Sequence, residues 1–95
     1  MNFEWDENKN ISNHKKHTIW FEEAQTVWAD PHSMEFFDLE HDISEERFIR
    51  IGHSSRSRLL LVIFCERSKK KDNSIRIISA RKATTKERAN YEKGI

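Results

Sequence analysis

The apolar residues change their spacing at Asp30-Pro31, from about four residues to about two, and this change most constrains what the chain can fold into. Upstream, Phe21, Ala24, Val27 and Trp28 stand at the i, i+3, i+6, i+7 intervals of one helical stripe, and Glu22, Glu23 and Gln25 face away from it. Proline disfavours helix in the residue before it, so a helix over residues 21–29 stops there. Downstream, the period of two predicts strands over 35–39, 47–53, 58–66 and 74–80. The links between them read as a polar turn at 40–44, a tight turn at 54–57 and a lysine-rich loop at 68–73. The third of these strands is the most apolar and should be central.

The two ends of the chain complete the pattern. Phe3-Glu4-Trp5 alternates as a short strand, and Asp6 caps a helix running to about His17, with Ile11 and His14 on one face. Thr84 and Glu87 form a capping box for a C-terminal helix. The order β-α-α-β-β-β-β-α predicts an α+β fold, an antiparallel sheet with helices packed on one face, in a single domain over residues 1–95. Cys65 is alone in the longest apolar run, 59–65, and reads as a buried small hydrophobe in a reduced compartment. That run is far too short to span a membrane, and MNFEWDENKN has neither the basic nor the apolar region of a signal peptide. The expectation is a cytoplasmic protein.

Charge is divided along the chain. Residues 1–46 hold 3 Lys/Arg and 12 Asp/Glu, a balance of −9, while residues 47–95 hold 14 and 4, a balance of +10. The sum is the formal net charge of +1. Arginines interleaved with apolar residues suit a polyanion, with nucleic acid the first candidate. The acidic positions between 35 and 46 should lie away from such a substrate.

Several short blocks, in this order and spacing, resemble the BrnT family of toxins from bacterial type II toxin–antitoxin modules. They are Phe3-Glu4-Trp5-Asp6-Glu7-Asn8-Lys9, Lys16-His17, Phe21-Glu22-Glu23-Ala24, Asp30-Pro31 and Glu45-Glu46-Arg47. Further on come Arg58-Leu59-Leu60, Glu66-Arg67, Ile75-Arg76-Ile77-Ile78-Ser79-Ala80-Arg81, Lys86-Glu87-Arg88 and Tyr91-Glu92. The chain departs from the family at Thr18-Ile19-Trp20, where a Gly and a Ser often stand. The resemblance implies a RelE-like fold and a ribonuclease that arrests translation. It also implies a ribbon-helix-helix antitoxin, BrnA-like, whose complex binds operator DNA. A free toxin that is a monomer, and two toxin chains brought together by an antitoxin dimer, are the corresponding expectations.

Cutting RNA without a metal requires a base for the 2′-hydroxyl, cations for the charge on the pentacoordinate phosphorus, and an acid for the leaving 5′-oxygen. Arg81, Arg67 and Arg58 are the candidate catalytic cations, because a guanidinium stays charged and grips two phosphate oxygens. Strand alternation places Arg67 with Leu59, Leu61, Ile63 and Cys65, and Arg81 with Ile75, Ile77 and Ser79. Glu66 and His53, both at strand ends, are the candidate acid and base, with Tyr91 on the last helix a further candidate. Arg76, Arg47, Arg50 and Lys82 are the candidate RNA-binding residues. Neither a metal site nor a cofactor is expected: His14 and His17 have two ammonium groups beside them and no third ligand. The Trp20, Phe21, Val27, Trp28 stripe reads as core. The competing reading is a non-catalytic nucleic-acid- or partner-binding module.

Overall fold

The computed structural model describes residues 2–38, 46–69 and 72–94, without the side chains of 67–69 and 72–73. Five strands, β1 (Asn2–Glu4), β2 (Met34–Phe37), β3 (Phe48–His53), β4 (Leu59–Lys69) and β5 (Asp72–Lys82), form one sheet in the order β1-β5-β4-β3-β2. The helices are α1 (Glu7–His17), α2 (Phe21–Ala24) and α3 (Thr85–Lys93), with a 3-10 helix at Gln25–Ala29. The α+β class and the element order are those expected, and β4 is central. The sheet is mixed rather than purely antiparallel, because β1 pairs in parallel with β5. The stretch read as one helix over 21–29 tightens into 3-10 geometry at Gln25. β4 and β5 run on through the residues read as a loop, with Lys69 opposite Asp72, while Lys70 and Lys71 lie outside the described residues, as does the turn expected at 40–44.

One face of the sheet is closed by α1, α2 and the 3-10 helix. Ile19, Phe21, Ala24 and Val27 pack on Leu60, Val62, Ile77 and Ala80, all essentially without solvent exposure. Phe3, Trp28, Phe64 and Phe48 extend this core as a chain of ring contacts 4.9–5.7 Å apart, and the exposed Phe37 lies on its rim, 5.4 Å from Phe48. Asp6 caps α1 through bonds to the N–H groups of Asn8 and Lys9. The face α1 buries is not the one its lone aliphatic suggested. Ile11 is exposed, and the buried residues are Asn10 and Asn13. Beyond Arg76, no strand among the described residues flanks the outer side of β5, and Asn13 takes that place. Its amide donates to the Ala80 carbonyl (2.9 Å) and the Ile19 carbonyl (3.0 Å), and accepts from the Ala80 N–H (3.1 Å). A polar residue is buried here because every one of its groups replaces a missing ladder bond.

A bulge sets the phase of β5. Ile63 pairs with Ser79 but Phe64 pairs with Ile77, leaving Ile78 as the extra residue. Before it, Ile75 and Ile77 face the helical core; after it, Ala80 does, and Arg81 stands opposite Leu61 on the other face. The expectation that Arg81 shares a face with Ile75 and Ile77 therefore fails, since strict alternation cannot foresee an inserted residue. On that second face Glu87 and Asn90 of α3 join Met34, Phe36, Ile49, Ile51 and Leu61 around a cavity of about 230 Å³. The helices thus lie on both faces. No helix among the described residues is long and apolar enough to cross a membrane.

Candidate active site

One end of the sheet collects the polar groups: the exit of β3, the turn 54–57, the exit of β5, α3, and the end of the 3-10 helix. Asp30 is the hinge between them. Its Oδ2 accepts from the Tyr91 hydroxyl at 2.6 Å and from the His53 backbone N–H at 2.8 Å, and Oδ1 accepts from the His32 N–H at 2.9 Å. Gly52 makes the approach possible, since a Cβ there would lie 2.8 Å from Ser33 Cβ and 3.1 Å from Asp30 Oδ2. Burial alone would raise the Asp30 pKa, but the bonds from Tyr91, His53 and His32 outweigh it and hold the carboxyl below its usual range. Burial, with the bond to Asp30 added, pushes the Tyr91 phenol up to about 12, so it keeps its proton at neutral pH.

That proton fixes the histidine beside it. Tyr91 Oη donates to Asp30 and has only lone pairs to offer His53 Nδ1, 3.1 Å away. A neutral His53 therefore carries its proton on Nδ1 and leaves Nε2 with a free lone pair. The His53 side chain is 41% exposed, so an incoming hydroxyl can reach it. Asp30, Tyr91 and His53 form a chain in which a buried carboxylate orients a phenol and the phenol orients an imidazole.

Two ion pairs stand at the same end. Glu23, with a side chain 5% exposed, binds Arg58 through both carboxylate oxygens and accepts from Ser54 Oγ at 2.6 Å. Arg58 lowers the Glu23 pKa, and Glu23 raises that of Arg58. Arg58 also donates to the carbonyl of Thr18, a residue with φ 61° that ends α1. On the other face Arg81 makes a bidentate pair with Glu87, both bonds 2.9 Å. Arg81 holds the Glu87 carboxyl down to about 2, against its own burial, with help from the Thr84 N–H of the capping box.

The expected site residues separate into two groups. His53, Arg58, Arg81 and Lys82 meet at this end, with His53 and Arg81 on the α3 side and Arg58 and Lys82 on the α2 side. Glu66 and Arg67 lie toward the opposite end of β4. Nine residues separate Arg58 from Arg67, roughly 30 Å of strand, so the two do not meet at one phosphodiester. The side chain of Arg67 is outside those described. Arg47 is also at the far end, and Arg76 stands opposite Cys65 between the two. Arg50 is occupied inside the fold: it lies 5.1 Å over the Trp28 ring and pairs with Glu35 at 2.8 Å. Cys65 is buried as expected.

Sequence reasoning missed Asp30, which it read only as a helix stop, and Glu23, read as a solvated face. A signal was present in Asp30: a carboxylate before proline, at the end of an apolar stripe, is held close to the core it terminates. Trp20 was also misplaced. It is 40% exposed and stacks on His14 with ring centroids 3.9 Å apart.

With this geometry in place, the chain can be set beside known proteins. Residues 5–87 match the family described as ribonuclease toxin, BrnT, of type II toxin–antitoxin system. The fold is similar to the crystal structure of the Brucella abortus ribonuclease toxin, BrnT, with a TM-score of 0.65 and 23% sequence identity. That likeness covers 90% of this chain and 99% of the Brucella chain. The comparison with curated proteins found no match.

Proposed function

The chain belongs to the BrnT family of ribonuclease toxins of type II toxin–antitoxin systems, and from that premise we propose that it cuts RNA at the Asp30–Tyr91–His53 end of the sheet, without a metal, and so arrests translation. The observation that carries the site is the hydrogen-bonded chain from Asp30 through Tyr91 to an exposed His53 whose Nε2 has no partner among the described residues. Nε2 takes the proton of the RNA 2′-hydroxyl, and the 2′-oxygen attacks the adjacent phosphorus. The bond to the 5′-oxygen breaks, and that oxygen recovers a proton from the imidazolium or from water. The products are a 2′,3′-cyclic phosphate and a 5′-hydroxyl end. Lys82 and Arg81 supply positive charge for the phosphorane, Arg81 by its Nε or by exchanging Glu87 for phosphate oxygens. Arg58 holds the turn 54–57 in place through Glu23 and Ser54.

The family also supports an antitoxin partner. We take it to be a ribbon-helix-helix protein whose dimer joins two toxin chains in the cytoplasm, the free toxin being a monomer. Sedimentation of the co-expressed pair measures that assembly.

The test of catalysis is incubation of the purified protein with RNA in the presence of a chelator, followed by analysis of the ends. Cyclic phosphate and 5′-hydroxyl termini are expected, and His53→Ala is expected to slow cleavage by about 10²-fold with unchanged circular dichroism. An undiminished rate in His53→Ala sinks the assignment of the base. RNA binding without new ends at any concentration favours the non-catalytic module.

A further inference from the structure

Away from the Asp30–Tyr91–His53 chain, on the α2 side of the turn 54–57, lies an open cleft of about 590 Å³ lined by Glu7, Trp20, Glu22, Glu23, Ser55 and Arg56. We propose that this cleft is a base-binding subsite, in which a single-stranded RNA base stacks on Trp20 and presents its N–H edge to Glu22, with guanine preferred. The proposal rests on the ribonuclease reading and adds a specificity determinant to it.

Three observations on the cleft point the same way. Trp20 is held in orientation by its stack on His14, the planes only 10° apart, yet 40% of its surface is open. An exposed indole fixed in this manner is a platform for a flat ring. Glu22 Oε1 accepts from Asn10 Nδ2 at 2.8 Å, which anchors the carboxylate, while its Oε2 has no partner among the described residues. Asn10 is itself fully buried and also accepts from the Phe21 N–H at 2.7 Å, so Glu22 is steered by a rigid group. Arg56 is exposed, and its guanidinium donates to nothing among the described residues.

The mixture of charges selects the ligand. Carboxylates at Glu7 and Glu22 repel a phosphate lying in the cleft, but they accept the N–H donors of a base. Guanine offers two such donors side by side, N1–H and the 2-amino group, to one carboxylate. Arg56 is then placed for the base carbonyl or for the adjoining phosphate. Only Ser54 and Ser55 separate Arg56, within the turn, from His53, so a strand crossing this end can have one nucleotide in the cleft and the scissile bond at the imidazole.

Short 2′-O-methylated oligonucleotides, which lack the attacking hydroxyl, bind without being cut, and tryptophan fluorescence reads the stacking. An oligonucleotide with one guanine among uridines is expected to bind about tenfold more tightly than the same oligonucleotide with inosine, which lacks the 2-amino group. Glu22→Gln should erase that difference, and Trp20→Ala should weaken binding of every base by about tenfold while leaving the fold intact by circular dichroism. Equal affinity for guanine, inosine, adenine and uridine, a preference untouched by Glu22→Gln, or no binding at all would each overturn the subsite. Guanine-selective binding in a protein that never cuts natural RNA would sink the ribonuclease reading and keep the subsite.

Discussion

The two faces of the sheet are covered by opposite means. On one, Ile19, Phe21, Ala24 and Val27 sink into the sheet with no exposed surface, and the cover is held by apolar contact. On the other, α3 buries none of its own residues. It is fastened by polar bonds, Arg81 to Glu87 near its start and Tyr91 to Asp30 and His53 near its end. Between the fastenings the apolar residues Met34, Phe36, Ile49, Ile51 and Leu61 surround a cavity that α3 does not fill. The difference separates stability from chemistry: the first face supplies the free energy of folding, and the second carries groups that must stay within reach of solvent.

This contrast can be broken at measurable points. The largest effect is expected at Phe21→Ala, where a fully buried ring is removed from the packed face at a cost of about 3–5 kcal/mol in urea unfolding. A loss below about 1 kcal/mol would show that α2 is not part of the cooperative core. Next comes Asn13→Leu, similar in size but unable to bond the Ala80 N–H or the Ile19 and Ala80 carbonyls. Stranding those buried groups should cost about 2–4 kcal/mol, and hydrogen exchange at Ala80 should speed up first. The smallest effect belongs to α3. Glu87 has its pKa lowered from 4.5 to about 2 by Arg81, so its contribution is complete above pH 4.5 and is lost as pH falls toward 2. Discounted for the partial exposure of both partners, it amounts to about 1–2 kcal/mol. Glu87→Gln should flatten the stability profile across that window and loosen α3 without unfolding the sheet. A profile parallel to the parent's would mean that the pair does not hold the helix.

The packed face was largely legible in the sequence, because Phe21, Ala24 and Val27 advertise burial by their spacing and β4 by its unbroken apolar run from Leu59 to Cys65. α1 was harder. Its only aliphatic, Ile11, drew attention to the exposed side, while the buried side is asparagine, whose role depends on a backbone 67 residues away. The candidate site was legible in part for a related reason. His53, Arg58, Arg81 and Lys82 could be picked by residue type and strand position, but strand position does not say which end of a sheet a residue reaches. Glu66 and Arg67 qualified on the same criteria and lie at the other end. Asp30 and Glu23 went unread because a carboxylate looks solvated until its partners, Tyr91 and Arg58, are brought to it by the fold.

The extra residue at Ile78 works as a phase shifter in β5. Everything upstream of it is written in one frame of inside and outside, and everything downstream in the other. Removing Ile78 would close the bulge and restore strict alternation, with Ala80 still facing the helical core and Arg81 still opposite Leu61, whereas inserting one more residue beside it, with the bulge kept, would turn Arg81 inward and Ala80 outward. The segment from Ile77 to Arg81 can therefore lose the bulge residue more readily than it can gain another, because only the gain moves Arg81 to the wrong face.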